Sequence, residues 1–503
     1  MIKRDDNPGL FDAIRDAYNN IANLPSDERI KENAQEIDSE KLEKITVLDI
    51  SPDYDVKNIK GIENLVNLES FGIYGSREID LKQMVEDLVK QAEEKAAATG
   101  NPNINYKSIE NKIKLEYEKN QITDFSPLKQ CDNLKGLYVY SQRDIKEINV
   151  SAWKNLKDIE IMDCGKLEYI NGLDNLDVKK DDRARLIVDY CSRLKFLPGL
   201  QNYAMRLENS QEDSRIVLPI NTYFLMSNTD KSLRKDKVMQ NSKKVYWIDE
   251  EYSITTLQAE LAKTRVEEIL STICKDRDSN LVKLSRIYRW ICENVSFNEE
   301  GSELEDNLLN GNIQNVPEGY QDFITALLRS VYFVLWSKTG VCKAVAGLLN
   351  LFCAELGIVA EKVHCNGDMQ TPIRDAINFD FDHTLSKVLL NVKGKNYFYY
   401  FDPTSDLYRK EYNNKKSYFF CLNHKEAAKH RNFGISEINM GGGPSLQNFL
   451  DKRGLLETGD AHQSWTGAIK QKQLKHREKV LVKKHEKLGL ANPYKDFQEV
   501  NNL

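Results

Sequence analysis

The chain has 503 residues, 41% of them hydrophobic and 29% charged, with a formal net charge of −6. That length exceeds what one hydrophobic core usually supports, so more than one domain is expected, and the mild acidity leaves no electrostatic footprint for nucleic acid. No stretch approaches the roughly 18 consecutive apolar residues of a membrane-spanning helix, and Met1-Ile2-Lys3-Arg4-Asp5-Asp6 turns polar at once instead of opening a secretory apolar segment.

Through residues 1–204 one spacing recurs. The pattern apolar-x-apolar-x-x-(polar or Cys) begins at Leu48, Phe71, Ile113, Leu137, Ile159 and Leu186, at steps of 23, 42, 24, 22 and 27 residues. Most steps match the leucine-rich-repeat period, in which each unit adds one short strand and a return segment to a solenoid. Apolar residues precede the strands at Leu65 and Leu68, Leu134, Trp153 and Leu156, and Leu173 and Leu176. Cys164 and Cys191 fall on the Asn/Cys position of the unit, which assigns them to buried turns rather than to catalysis or metal binding. The long step hides an insertion at about 80–105: Leu81, Met84, Val85, Leu88 and Val89 have helical spacing, and Gly100-Asn101-Pro102-Asn103 ends it.

Two segments here resemble bacterial internalin-like leucine-rich repeats. Asn120-Gln121-Ile122-Thr123-Asp124-Phe125-Ser126-Pro127-Leu128 is similar to that family's inter-strand segment, and Asn7-Pro8-Gly9-Leu10-Phe11-Asp12-Ala13-Ile14-Arg15 to its N-terminal helical cap. The resemblance covers roughly residues 7–200. It implies a capped solenoid that binds another protein along its extended inner face.

Residues 205–254 read as a connection. Ile216–Ile220 and Tyr223–Met226 are strand-like, and Asn228–Asn241, rich in Lys, Asp, Ser and Asn, reads as an exposed linker. From Thr255 the period is helical. Leu257, Leu261, Val266, Ile269 and Leu270 share one face, and Leu281, Leu284, Ile287, Trp290 and Ile291 another. A third apolar run, Phe323–Trp336, leads to Gly340-Val341-Cys342.

Cys342 opens an apolar helical run, Ala344–Leu356, which places its sulfur at a helix N-terminus where free N–H groups and the macrodipole favour a thiolate. Downstream, His383 starts the strand Thr384–Val392, a turn follows at Lys393-Gly394-Lys395-Asn396, and Tyr397–Phe401 ends at Asp402. Antiparallel pairing brings His383 and Asp402 side by side. Together the residue types suffice for acyl chemistry. The thiolate attacks, the imidazole moves the proton, the carboxylate fixes the imidazole, and amides at the helix start receive the oxyanion.

The order Cys, His, Asp, with Gly340-Val341-Cys342, His383 and Asp402-Pro403-Thr404, resembles the transglutaminase-like branch of the papain-like fold. Ile287–Phe297 is similar to the helix and Trp…Asn…Phe preface that precedes that family's core. The match covers roughly 255–430 and departs from the family at Leu385, where an aromatic residue is common. The resemblance implies protease or transglutaminase-type activity on protein.

Other features carry less. His364, Cys365 and Cys353 lack the paired spacing of a metal site, and Gly441-Gly442-Gly443-Pro444 has no Lys-Ser/Thr sequel, so it reads as a connector rather than a phosphate loop. Ala468–Leu488 carries eight Lys or Arg against two Glu and reads as a solvated terminal helix, with contact to a membrane or an acidic partner as the competing role.

The expectation is thus an α/β chain. A leucine-rich-repeat domain spans 1–204, a connection 205–254, an α+β transglutaminase-like domain 255–435, and an extension with a basic helix 436–503. Its expected function is thiol-dependent acyl transfer on protein substrates through Cys342, His383 and Asp402: peptide cleavage, glutamine deamidation or transglutamination. No metal or organic cofactor and no nucleic acid enter this chemistry. Competing expectations are a binding scaffold with an inactive papain-like domain and a secreted bacterial effector or toxin. Nine cysteines without a framework read as reduced thiols, which fits the cytoplasm or export by a signal-peptide-independent route.

Overall fold

The structure, a computed structural model, describes residues 1–77, 81–100, 104–249, 252–309, 311–313, 320–366, 382–411, 417–433, 437, 442–456 and 467–488. It is a mixed α/β protein that divides into two compact units. The first holds Met1–Thr222 and Lys237–Tyr246; the second holds Tyr223–Asp236 and, among the described residues, the chain from Trp247 onward.

The first unit opens with helix α1 (Pro8–Asn19), whose N-cap Asn7 accepts the Leu10 N–H and whose Leu10, Phe11, Ile14 and Tyr18 are buried. Strands β1 (Val47–Ile50), β2 (Ser70–Tyr74), β3 (Gly136–Tyr140), β4 (Asp158–Met162), β5 (Arg185–Asp189) and β6 (Arg215–Pro219) follow. They pair side by side in chain order, all parallel. The apolar pairs of the repeat, from Leu48 and Ile50 to Leu186 and Val188, point to one side and are fully buried there. Leu65, Leu68, Leu134, Trp153, Leu156, Leu173 and Leu176 of the return segments are equally buried, as the period-2 strand rule and a stacked core require. The residue after β3, β4 and β5 (Ser141, Asp163 and Tyr190) takes positive φ each time, so the chain leaves these three strands by the same turn.

One repeat is not where the spacing puts it. Ile113 and Leu115 lie in a helix, and β2 pairs directly with β3. The insertion is a helical pair, α2 (Lys82–Thr99) and α3 (Tyr106–Tyr117), and it runs past residue 105. Ile109 and Ile113, four apart, are buried while Leu115 is 66% exposed; an i, i+4 face was mistaken for a strand's i, i+2 alternation. Gly100, at φ +66°, ends α2, and Asn101–Asn103 fall outside the described residues.

The turn positions are filled in a graded way. Asn120, fully buried at the exit of the insertion, donates to the Ser51 and Tyr74 carbonyls and accepts the Val56 N–H. Gln142 accepts the Ile122 N–H and donates to the Tyr140 carbonyl. Cys164 and Cys191 stand at the same place in later units and turn their thiols to Met162 O and Asp189 O.

The segment expected to be a linker is folded. Tyr223–Met226 belongs to a helix, Ile220–Thr229, not a strand, and Leu233 and Met239 are fully buried. In the second unit, Arg234 is clamped by Glu260 and Glu267, which composition alone could not reveal.

The second unit contains helices α4 (Thr256–Ile273), started by a Thr255/Gln258 capping box, and α5 (Asn280–Asn294), capped by Ser279. The run Phe323–Trp336 breaks at the buried Ser330, which caps a new helix by accepting the Tyr332 N–H and donates to Asp249. Helix α6 (Cys342–Glu355) lies against an antiparallel sheet in the order β9-β8-β7-β10, from strands β7 (Ala360–Asn366), β8 (His383–Val392), β9 (Lys395–Phe401) and β10 (Asn432–Phe433). Ser386 on β8 donates to the Ala346 carbonyl of α6 at 3.0 Å. Gly347 lets α6 pack closely elsewhere, on the helix Val331–Ser337 and on β7: a Cβ there would lie 2.5 Å from Val331 Cγ2 and 3.0 Å from Lys362 Nζ.

Helix α7 (Gly467–Lys487) is not solvated all round. It packs on α4, burying Leu474 and Leu481, and Arg477 bonds Glu260. The acidic partner of this basic helix lies within the chain. Nor is the glycine run a loose connector. Gly443 approaches Tyr397 and Tyr399 closely, and Tyr399 Oη donates to Pro444 O, while Gly441 lies outside the described residues. Among the described residues no helix is long and apolar enough to cross a membrane.

Candidate active site

The turn before Cys342 is held by neighbours on both sides. Ser296–Phe297, just after α5, pairs in parallel with Thr339–Gly340, and the Val341 N–H reaches the Leu328 carbonyl at 3.2 Å. A Cβ on Gly340 would stand 3.0 Å from Ala344 Cβ, so a glycine fits the turn best. Cys342 is then the first residue of α6, partly exposed, with Val341 as a non-polar N-cap. The Cys342, Lys343 and Ala344 N–H groups belong to the first turn of α6, where the helix itself offers them no acceptors.

The hairpin supplies the partners. β8 and β9 pair from Ser386↔Phe401 to Val392↔Lys395 around a two-residue turn in which Lys393 and Gly394 both have positive φ. This sets His383 and Asp402 at the open end, and His383 Nε2 lies 2.9 Å from Asp402 Oδ2. His383 and the Thr384 N–H stand beside the Cys342 sulfur, close enough to stabilise a negative charge on it. The structure therefore brings all three sequence-predicted residues together.

Their electrostatics follow from that contact. Burial works against a charge on His383, but Asp402 and Cys342 outweigh it and hold the ring protonated up to about 10. Burial raises the Cys342 thiol, yet the His383 hydrogen bond and charge, with the Thr384 N–H, bring it below its ordinary value. Burial alone pushes Cys353 up, and dominates at Cys365 and Cys421. Both shifts favour the thiolate–imidazolium form of the pair over the neutral one.

Asp402 is fixed from several directions. It caps the helix Pro403–Glu411, with Oδ1 accepting the Ser405 N–H at 3.1 Å and Oδ2 the Ser405 hydroxyl at 2.9 Å. Arg431 donates to Oδ2 from Nε at 3.2 Å and from Nη2 at 2.7 Å, and also bonds Ser405 Oγ. Burial favours the neutral acid, but the His383 and Arg431 charges override it and keep the carboxyl well below the usual range. Asp402-Pro403 is a legible N-cap with proline at the first helical position, so the Ser405 contact had a local signal. Arg431 had none.

The weaker candidates resolve structurally. His364 shares a hydrogen bond with Thr384 across the sheet, Cys353 and Cys365 are fully buried, and Leu385 sits in the apolar cluster of Val363, Tyr400 and Phe433. Among the described residues no group of three His, Cys, Asp or Glu side chains is placed to hold a metal ion.

Neither protein-family models nor curated proteins match the sequence. Among solved structures, a crystal structure of a TGase is similar at 13% identity and a TM-score of 0.20, over 36% of this chain and 38% of that one. The chain thus spans well under half of that protein. Internalin C2 of Listeria monocytogenes is similar at 17% identity and a TM-score of 0.14, over 44% of this chain and 81% of that one. A second internalin of that organism, inlF, follows at 13% and 0.14, over 51% and 80%. Likenesses this low carry no argument about fold or activity.

Proposed function

We propose that the second unit is a transglutaminase-like thiol acyltransferase, with Cys342 as nucleophile, His383 as proton carrier and Asp402 as its orienting carboxylate. The observation that carries this reading is the convergence of Cys342, the first residue of a 14-residue helix, with a His383 whose Nε2 lies 2.9 Å from Asp402 Oδ2. In the first half-reaction the Cys342 thiolate bonds to an amide carbon, and the electron pair moves to the oxygen, which the first-turn amides of α6 stabilise. The C–N bond then breaks, the imidazolium gives its proton to the leaving amine, and a thioester remains. In the second half-reaction His383 takes a proton from water or an incoming amine, whose attack on the thioester carbon releases the thiolate. Water yields cleavage or deamidation; an amine yields a new amide. The parallel strand array of the first unit, read as leucine-rich repeats, would present protein substrate or partner.

Two experiments test this. Cys342 should alkylate at pH 7.5 at least tenfold faster than the fully buried Cys353, as read by peptide mass spectrometry. Lysates treated with wild type or Cys342→Ala should then differ in new termini, 1 Da glutamine shifts or cross-links. Ordinary alkylation of Cys342 together with no Cys342-dependent change would leave only a binding scaffold.

A further inference from the structure

Asp402 Oδ2 is crowded. It accepts from His383 Nε2, from the Ser405 hydroxyl, and from two nitrogens of Arg431. A carboxylate oxygen offers about two good acceptor directions, so these donors share one site instead of each enjoying a full bond. Arg431 is no loose surface cation. It is 8% exposed, its guanidinium stacks on Phe419 at 4.9 Å, and Nη1 donates to the His430 carbonyl at 2.7 Å. The Asp402 N–H in turn bonds the Phe419 carbonyl at 3.0 Å, so carboxylate, aromatic ring and guanidinium form one fixed assembly.

The chemical consequence concerns proton transfer. A buried carboxylate facing an imidazole alone would bind the imidazolium strongly, and a strongly held imidazolium is a poor acid toward a leaving amine. A permanent guanidinium on the same oxygen opposes the second positive charge, weakens the His383–Asp402 bond, and keeps Asp402 ionised. Resting on the acyl-transfer reading, we infer that Arg431 is a positioning residue that holds Asp402 and limits the basicity of His383, so that the imidazolium formed during attack can surrender its proton. It acts through Asp402.

The test uses the full-length protein and iodoacetate, a small anionic alkylator. Its reaction with Cys342 rises with pH as the thiolate forms and falls as the adjacent imidazolium loses its proton, so one profile reports both groups without any substrate. In Arg431→Gln both limbs should move up, the alkaline one by about one pH unit, since removing a nearby positive charge makes the imidazolium and the thiol alike harder to deprotonate. Arg431→Lys keeps the charge and should stay within about 0.3 pH units of wild type, as should Ser405→Ala, which removes only a neutral donor. A superimposable profile in folded Arg431→Gln overturns the inference. So does a shift in Ser405→Ala as large as that in Arg431→Gln. Should Arg431→Gln fail to fold, Arg431→Met is read in its place: a rise of the alkaline limb that Arg431→Lys does not show supports the role of the charge, and an unchanged limb refutes it. A wild-type profile with a single ordinary thiol midpoint and no alkaline limb would be a different failure, that of the Cys342–His383 pair itself.

Discussion

Replacing Asp402 by Asn should destabilise the second unit by an amount that depends on pH in a defined direction. The side chain is almost fully buried and its oxygens bond His383, Ser405 and Arg431. Asn removes the charge that pairs with the Arg431 guanidinium, 7% exposed, a loss of about 3–5 kcal/mol for a broken buried pair. His383 adds a second part. Its folded value is raised from 6.5 to about 10; if all of that came from Asp402 it would amount to about 5 kcal/mol, and since Cys342 shares it we take about 2 kcal/mol. A raised folded pKa stabilises fully below the unfolded value and is lost as pH climbs through the folded one. The gap between wild type and Asp402→Asn should therefore be widest near pH 6.5 and narrower by about 2 kcal/mol at pH 10.5, with the Arg431 part persisting. Urea unfolding read by pulse alkylation of Cys353, fully buried in α6, isolates this unit from the first. A gap that is flat or widens over that range would refute the charge assignment to His383.

Three further substitutions probe the frame. Gly347→Ala should cost about 1–3 kcal/mol in the same assay, because its Cβ meets Val331 Cγ2 at 2.5 Å and Lys362 Nζ at 3.0 Å; an unchanged urea midpoint would mean α6 has room against β7. In the first unit, Asn120→Ala should cost about 2–4 kcal/mol, since one buried amide serves Val56 N–H, Ser51 O and Tyr74 O, and hydrogen exchange should rise at Val56 first. Arg477→Ala should cost at most about 1 kcal/mol because that side chain is 37% exposed and Glu260 retains Arg234, whereas Arg234→Ala should cost about 3–5 kcal/mol by leaving two carboxylates without it. Equal effects from the two arginines would contradict the burial argument.

The parts of this molecule that could be read in advance are those whose cause is local. Alternation places Leu48, Phe71, Leu137, Ile159 and Leu186 on strands because each sits between short return segments and has a second apolar residue two positions on. Ile113-x-Leu115 satisfies the same rule and fails, since Ile109 completes an equally good helical face and only the direct pairing of β2 with β3 decides between them. The polar turn position shows the same limit. Its Cys164 and Cys191 are predictable from register, while Asn120 takes up its bonding only because a helical pair leaves and re-enters the array there.

Distance along the chain is not itself the obstacle at the candidate site. Cys342, His383 and Asp402 lie far apart, yet each is of a type with few roles and each carries a local mark: a helix start, a strand start and an N-cap before proline. Arg431 is one of 71 lysines and arginines, in a short segment with no periodicity, and nothing beside it in sequence distinguishes it from a solvated charge. What singles it out is a desolvated carboxylate 29 residues earlier that must stay ionised in a buried place. An electrostatic need of that kind arises only when the fold closes, so a candidate triad can be read from residue types, whereas the charge proposed to tune it has to be found in space.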